Sequence, residues 1–180
     1  MTDPNAVLLA AAIASFSTPF MLSAINVALP HISRDLGMNA LAMGWISLSF
    51  LIVSTVFLVP AGRAADIYGR KRVFTAGFAV FTAASALCAM AGRGWQLIMF
   101  RSLQGLGSAM IFGTSVAMLT SVYPGARRGR ALGIVSSSVY LGLSLGPFLG
   151  GILVESLSWR SIFYLNIPMG AAVLYLLRAR

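Results

Sequence analysis

Long apolar stretches broken by short polar turns organise the chain from end to end. Six stand out, at about residues 6–29, 41–61, 73–91, 95–122, 131–157 and 161–177. Each comes close to or exceeds the roughly 20 apolar residues that a helix needs to cross a bilayer. None shows the alternation, in segments of about 10 residues, that marks a transmembrane barrel strand. The pattern predicts an all-α membrane protein in which residues 1–180 form a single domain of six transmembrane helices. With so even a spacing, helices one to three and four to six run in opposite senses, which permits a 3+3 inverted repeat.

Composition agrees and excludes the soluble classes. Hydrophobic residues make up 58% of the 180, and charged residues only 9%. Mean hydropathy is +0.87. A soluble domain carries about a quarter charged residues. The net charge of +9 would suggest nucleic-acid binding in a soluble protein. Here the basic residues lie between apolar runs, so no nucleic-acid partner is expected and the charge reads as topology. Arg63, Arg70, Lys71, Arg72, Arg127, Arg128, Arg130, Arg178 and Arg180 fall on one side, Arg34, Arg93 and Arg160 on the other. By the positive-inside rule both termini face the cytoplasm, in a multi-pass protein of the cytoplasmic (inner) membrane. Trp95 and Trp159 fall at the outer ends, where aromatic rings favour the headgroup layer. Without a basic n-region and cleavage site, the first segment reads as a retained helix and not a signal peptide. Cys88, the single cysteine, lies in an Ala-rich run and reads as a small buried hydrophobe. No Ser/His/Asp, Cys/His or paired-carboxylate constellation is present, no Cys cluster could hold a metal, and Gly105-x-Gly107 lacks a phosphate-binding lysine. No enzyme activity, cofactor or metal is expected.

Three polar or glycine-rich patterns interrupt the apolar background. In Gly62–Lys71, Gly62 permits close backbone approach and Gly69 a tight turn. Asp66 stands just before the third segment, where a carboxylate can accept backbone N–H bonds and meet the helix dipole. Arg70 and Lys71 can pair with it or with headgroups. Arg101 lies about six residues, or roughly 9 Å, into the fourth segment. So deep a cation needs a partner, water or a snorkelling path. Gln104 lies almost one turn further in, and Asn26, at similar depth in the first segment, could accept a hydrogen bond. In the fifth segment Gly142, Gly146 and Gly150 form a smooth stripe, with Gly151 beside it, that suits close helix packing. Pro147 removes one backbone hydrogen bond there and is expected to bend the helix.

Taken together, these residues resemble the N-terminal half of a major facilitator superfamily transporter. Gly62-x-x-Ala65-Asp66-x-x-Gly69-Arg70-Lys71 resembles the motif between helices 2 and 3. Arg101-x-x-Gln104-Gly105-x-Gly107 is similar to the helix-4 motif, and Gly142-x-x-x-Gly146-Pro147-x-x-Gly150-Gly151 to the helix-5 motif of antiporters. Asn26-Val-Ala-Leu-Pro30 and Trp159-Arg-Ser-Ile-Phe-Tyr-Leu-Asn-Ile-Pro168 resemble the fourteen-helix drug:proton antiporter branch. The resemblance implies a secondary transporter that expels amphiphilic or cationic drugs and other small molecules by alternating access, in exchange for protons. It further implies that Gly62, Asp66 and Arg70 form a cytoplasmic latch, that Asn26, Arg101 and Gln104 serve the cavity and proton relay, and that the helix-5 stripe seals against the opposite half.

Two departures qualify that expectation. The branch usually carries an Asp in helix 1 where this chain has Met21, so either Glu155 or a residue outside the chain carries the coupling, or the protein is not an ordinary proton antiporter. Six helices also supply only one half of such a machine. A second six-helix half is therefore expected as partner, from a longer chain or a second copy. The alternative is a non-transporting remnant that retains the half-fold for assembly or regulation.

Overall fold

A computed structural model describes residues 4–123, 125 and 127–178. Seven helices follow one another: α1 (Pro4–Leu36), α2 (Ala40–Val56), α3 (Leu58–Tyr68), α4 (Arg70–Ala89), α5 (Gly94–Val122), α6 (Arg127–Ser156) and α7 (Arg160–Arg178). No strand occurs among the described residues. Five of the helices are long and apolar enough to cross a membrane, and a sixth span is reached if the bent pair α2 and α3 crosses as one. The protein is thus an all-α, multi-pass membrane protein.

The expected uninterrupted helix over 41–61 is corrected to two helices bent by 44°. Pro60 supplies the reason: it has no N–H for the carbonyl of Val56, four residues back, and its ring crowds that turn. The chain recovers at once, with Ala61 N–H donating to Phe57 O at 2.9 Å. Beyond the break α3 runs on to Tyr68, and Gly69, at φ 96°, makes the whole turn into α4. A side chain is rarely tolerated at that φ. Asp66 therefore sits in the last turn of α3 and not ahead of a helix start. The cap of α4 carries no side-chain hydrogen bond, so the capping role expected of Asp66 is not realised. At the start of α2, by contrast, Asn39 Oδ1 accepts from Ala42 N–H at 2.8 Å.

Helix α1 is the most enclosed element, buried from Val7 to Ile32 on nearly every inward turn. It packs along α6 and also touches α7 and α5. Helix α5 holds the corresponding place for the other triplet, packing on α2, α3 and α4. Helix α6 buries only Ala131, Val135, Gly142, Gly146, Gly150 and Val154, a narrow seam at helical spacing, and leaves its other faces open.

Candidate functional site

Arg101 is the largest side chain with no exposed surface. It sits where α5 crosses α2 and α4. Nε donates to Ile46 O at 3.3 Å, and Nη1 donates to Gln104 Oε1 at 2.5 Å. Gln104 Nε2 in turn donates to Ser85 Oγ at 2.7 Å, and Ser85 closes the chain on Phe81 O at 2.8 Å. The guanidinium lies 4.4 Å from the centre of the Phe50 ring, a cation–π contact. Nη2 has no hydrogen-bond partner among the described residues. The snorkelling alternative is excluded by the burial: the side chain turns inward and its charge is met by dipoles and a ring. Close approach around it depends on Gly105, where a Cβ would lie 2.5 Å from Phe50 O.

The glycine stripe of α6 faces α1. A Cβ on Gly142 would lie 2.5 Å from Phe16 O, one on Gly146 2.6 Å from Ser23 Cβ, and one on Gly150 2.9 Å from Ala24 Cβ. Gly151 stands to the side, with only Val27 Cγ1 at 3.9 Å. The expectation that this stripe meets an opposite half is corrected: its partner is the first helix of the same half. Pro147 explains a further contact. Its missing N–H leaves the carbonyl of Leu143 without an intrahelical donor, and Ser23 Oγ donates to that carbonyl at 2.9 Å. Helix α6 continues through Pro147 uninterrupted. Glycines make the room, and the proline frees the acceptor that ties the two helices.

At the face carrying the basic loops, Arg70 Nη1 donates to Ala117 O near the end of α5 at 3.0 Å. Arg70 Nη2 stands 3.6 Å from Asp66 Oδ1, with both side chains largely exposed. Gly62 lies against Gly113 of α5, with its carbonyl 3.9 Å from where a Cβ would be. Lys71 is half-buried at the start of α4.

The opposite face holds a cluster that the sequence reading missed. Asp35 Oδ2, at the end of α1, accepts from Trp159 Nε1 at 3.0 Å and from Arg160 Nη1 at 2.7 Å. Arg160 Nη2 also donates to Ala91 O at 3.1 Å, and its guanidinium lies 4.3 Å from the Trp159 ring. Trp159 is only 3% exposed, so it is a packed residue here and not a headgroup anchor, whereas Trp95 is open. The available signal was an Asp and an Arg on one side of the topology, next to a tryptophan.

Of the other expected residues, Asn26 is exposed and accepts from Ser47 Oγ at 3.3 Å. It is not among the described partners of Arg101. Gln104 is sealed between α4 and α5 and lines no open surface. Met21 is fully buried in the core, and Glu155 is exposed.

Comparisons with known proteins agree with this geometry. Residues 11–180 match the profile of the Major Facilitator Superfamily. The multidrug resistance protein Stp of Mycobacterium tuberculosis (strain CDC 1551 / Oshkosh) is 40% identical over 153 residues, which cover 84% of this chain and 28% of that protein. The cephamycin export protein CmcT of Amycolatopsis lactamdurans is 40% identical over 170 residues, covering 94% and 35%. The multidrug transporter protein MdtP of Bacillus subtilis (strain 168) is 35% identical over 167 residues, covering 92% and 31%. This chain thus spans about a third of the length of these relatives. Among solved structures, the proton:xylose symporter XylE bound to 6-bromo-6-deoxy-D-glucose superposes with a TM-score of 0.84 at 14% identity, covering 98% of this chain and 44% of that one.

Proposed function

The chain belongs to the major facilitator superfamily, and from that premise we propose that it is the first six-helix half of an export transporter working by alternating access. The observation that carries the reading is Arg101. A cation fully buried in a membrane bundle is costly and marks a working site by default. Its hydrogen bonds run to Gln104 and onward to Ser85, while one nitrogen has no partner among the described residues. Arg101 and Gln104 then form a polar relay that a substrate or proton movement elsewhere can bias, with Asn26 on the open side of the same end.

The substrate class follows from the exposed wall formed by α1, α2, α5 and α6. A depression of about 410 Å³ there is lined by Thr18, Phe50, Ser54, Thr55, Ser108 and Phe112, among others, with no acid among them. Hydroxyls and aromatic rings without a carboxylate suit amphiphilic molecules. Proton coupling, in this reading, rests on a carboxylate outside the chain, because Met21 is an apolar core residue and the described acids Asp35, Asp66 and Glu155 are exposed. The basic loops lie in the cytoplasm, by the positive-inside rule. Asp66, Arg70 and Gly62 latch the second half there, and the α1–α6 seam serves as a stiff strut.

The test is dye efflux from proteoliposomes holding this chain with a complementary second half. Uptake or release that responds to an imposed pH gradient is expected. Movement indifferent to the gradient would remove proton coupling. No movement at all would reject the transporter reading in favour of a non-transporting half.

A further inference from the structure

A cavity of about 350 Å³ opens where the start of α1, the end of α5 and the start of α6 converge. Leu8, Ala131 and Ile134 form its apolar wall, and Asn5, Tyr123, Arg127 and Arg130 its polar one. Both arginines are exposed, and neither makes a hydrogen bond or ion pair with any described residue. The described carboxylates are elsewhere: Asp35 is bonded to Arg160, Asp66 is beside Arg70, and Glu155 is at the far end of α6. Two guanidiniums with no partner among the described residues thus share one depression with an apolar wall.

Depth decides what reaches such a place. Helix α6 has 30 residues, about 45 Å at 1.5 Å per residue. A bilayer is about 30 Å thick in its hydrocarbon and 40–45 Å with its headgroups. The first turn of α6, with Arg127 and Arg130, therefore stands at headgroup level, while Ile134 reaches toward the acyl chains. We propose that this cavity binds one anionic phospholipid of the surrounding leaflet. The guanidiniums hold the phosphate with paired N–H donors, the Tyr123 hydroxyl donates to a headgroup oxygen, and Leu8, Ala131 and Ile134 take the first methylenes. Basic pockets between membrane helices select lipids on this physical ground.

The test uses the 180-residue chain in nanodiscs of equal phosphatidylglycerol and phosphatidylcholine, followed by native mass spectrometry of the lipid retained. The wild type is expected to favour phosphatidylglycerol by about tenfold. The double variant Arg127→Gln, Arg130→Gln should bring the ratio close to even, with unchanged helical circular dichroism. Arg128→Gln, which alters the same loop but does not line the cavity, should keep most of the preference. An unaltered ratio in the double variant would overturn the site, as would an equal loss with Arg128→Gln, which would show net charge acting alone. Glycerol 3-phosphate supplies the last arm: it should fail to displace the lipid. Displacement at low millimolar concentration would make this a site for soluble phosphate and overturn the lipid assignment.

Discussion

The two faces of the molecule each hold an Asp–Arg pair, and the pairs differ in every physical respect. Asp35 and Arg160 are 125 residues apart in sequence and 2.7 Å apart in space. A buried indole and a backbone carbonyl join them, so three separate parts of the chain are fastened at one point. Asp66 and Arg70 are four residues apart and stand at 3.6 Å in solvent. An exposed pair of this kind, held across a turn and not within one helix, contributes about 0.2–1 kcal/mol at most. The first is complete within this half; the second leaves its carboxylate underused. A helix bundle tied across three parts of the chain at one face and only across a local turn at the other is what that difference teaches.

Removing the indole attacks the fastened end most directly. Trp159→Ala deletes a nearly buried ring packed edge-on against Phe163 and is expected to cost about 3–5 kcal/mol, read by denaturant unfolding in micelles. An unfolding midpoint like that of the wild type would show the Asp35–Trp159–Arg160 cluster to be incidental. Gly142→Ala comes next, at about 1–3 kcal/mol, because the added methyl meets the backbone of Phe16 and forces α1 off α6. Since α1 carries Asp35, its cluster with Trp159 and Arg160 should loosen while the Arg70–Ala117 contact stays. Distance measurements by paired spin labels at the two faces would check this, and equal movement at both ends would contradict it.

Smaller changes sharpen the contrast. Asp35→Asn keeps an acceptor for Trp159 but removes the charge, at about 1 kcal/mol. The clearer readout is alkylation of Cys88, which is fully buried three residues before Ala91. Its rate should rise in the variant, and an unchanged rate would show that the cluster does not hold this end closed. Asp66→Asn should move stability by less than about 1 kcal/mol. Transport by the protein paired with its second half should nonetheless fall several-fold. Wild-type transport would end the latch reading, and a large stability loss would mean that Asp66 serves this half alone.

Much of the fold was legible because membrane helices announce themselves by length and hydropathy. The helix over 95–122 and the observed α5 differ by one residue at one end. The break at Phe57 is not legible from Pro60 alone, because proline inside an apolar run often passes without interrupting a helix. Pro19, Pro30, Pro147 and Pro168 do so here. Arg101 was legible as a costly cation, but not its surroundings. Ser85 and Phe50 lie on other helices, and nothing in local spacing selects them. Pro147 is expected from sequence to bend its helix, but the carbonyl it leaves for Ser23 on another helix is not legible there.

Sequence by itself determined the all-helical membrane character, the placing of basic residues between the apolar runs and the positions of the glycine and arginine motifs. These follow from composition and period along one chain. Tertiary structure alone decided that the glycine stripe serves α1, that Arg101 is sealed inside, and that Asp35 finds Trp159 and Arg160. Each depends on how helices rotate and cross, a choice made by packing among residues far apart in sequence, which no local pattern records.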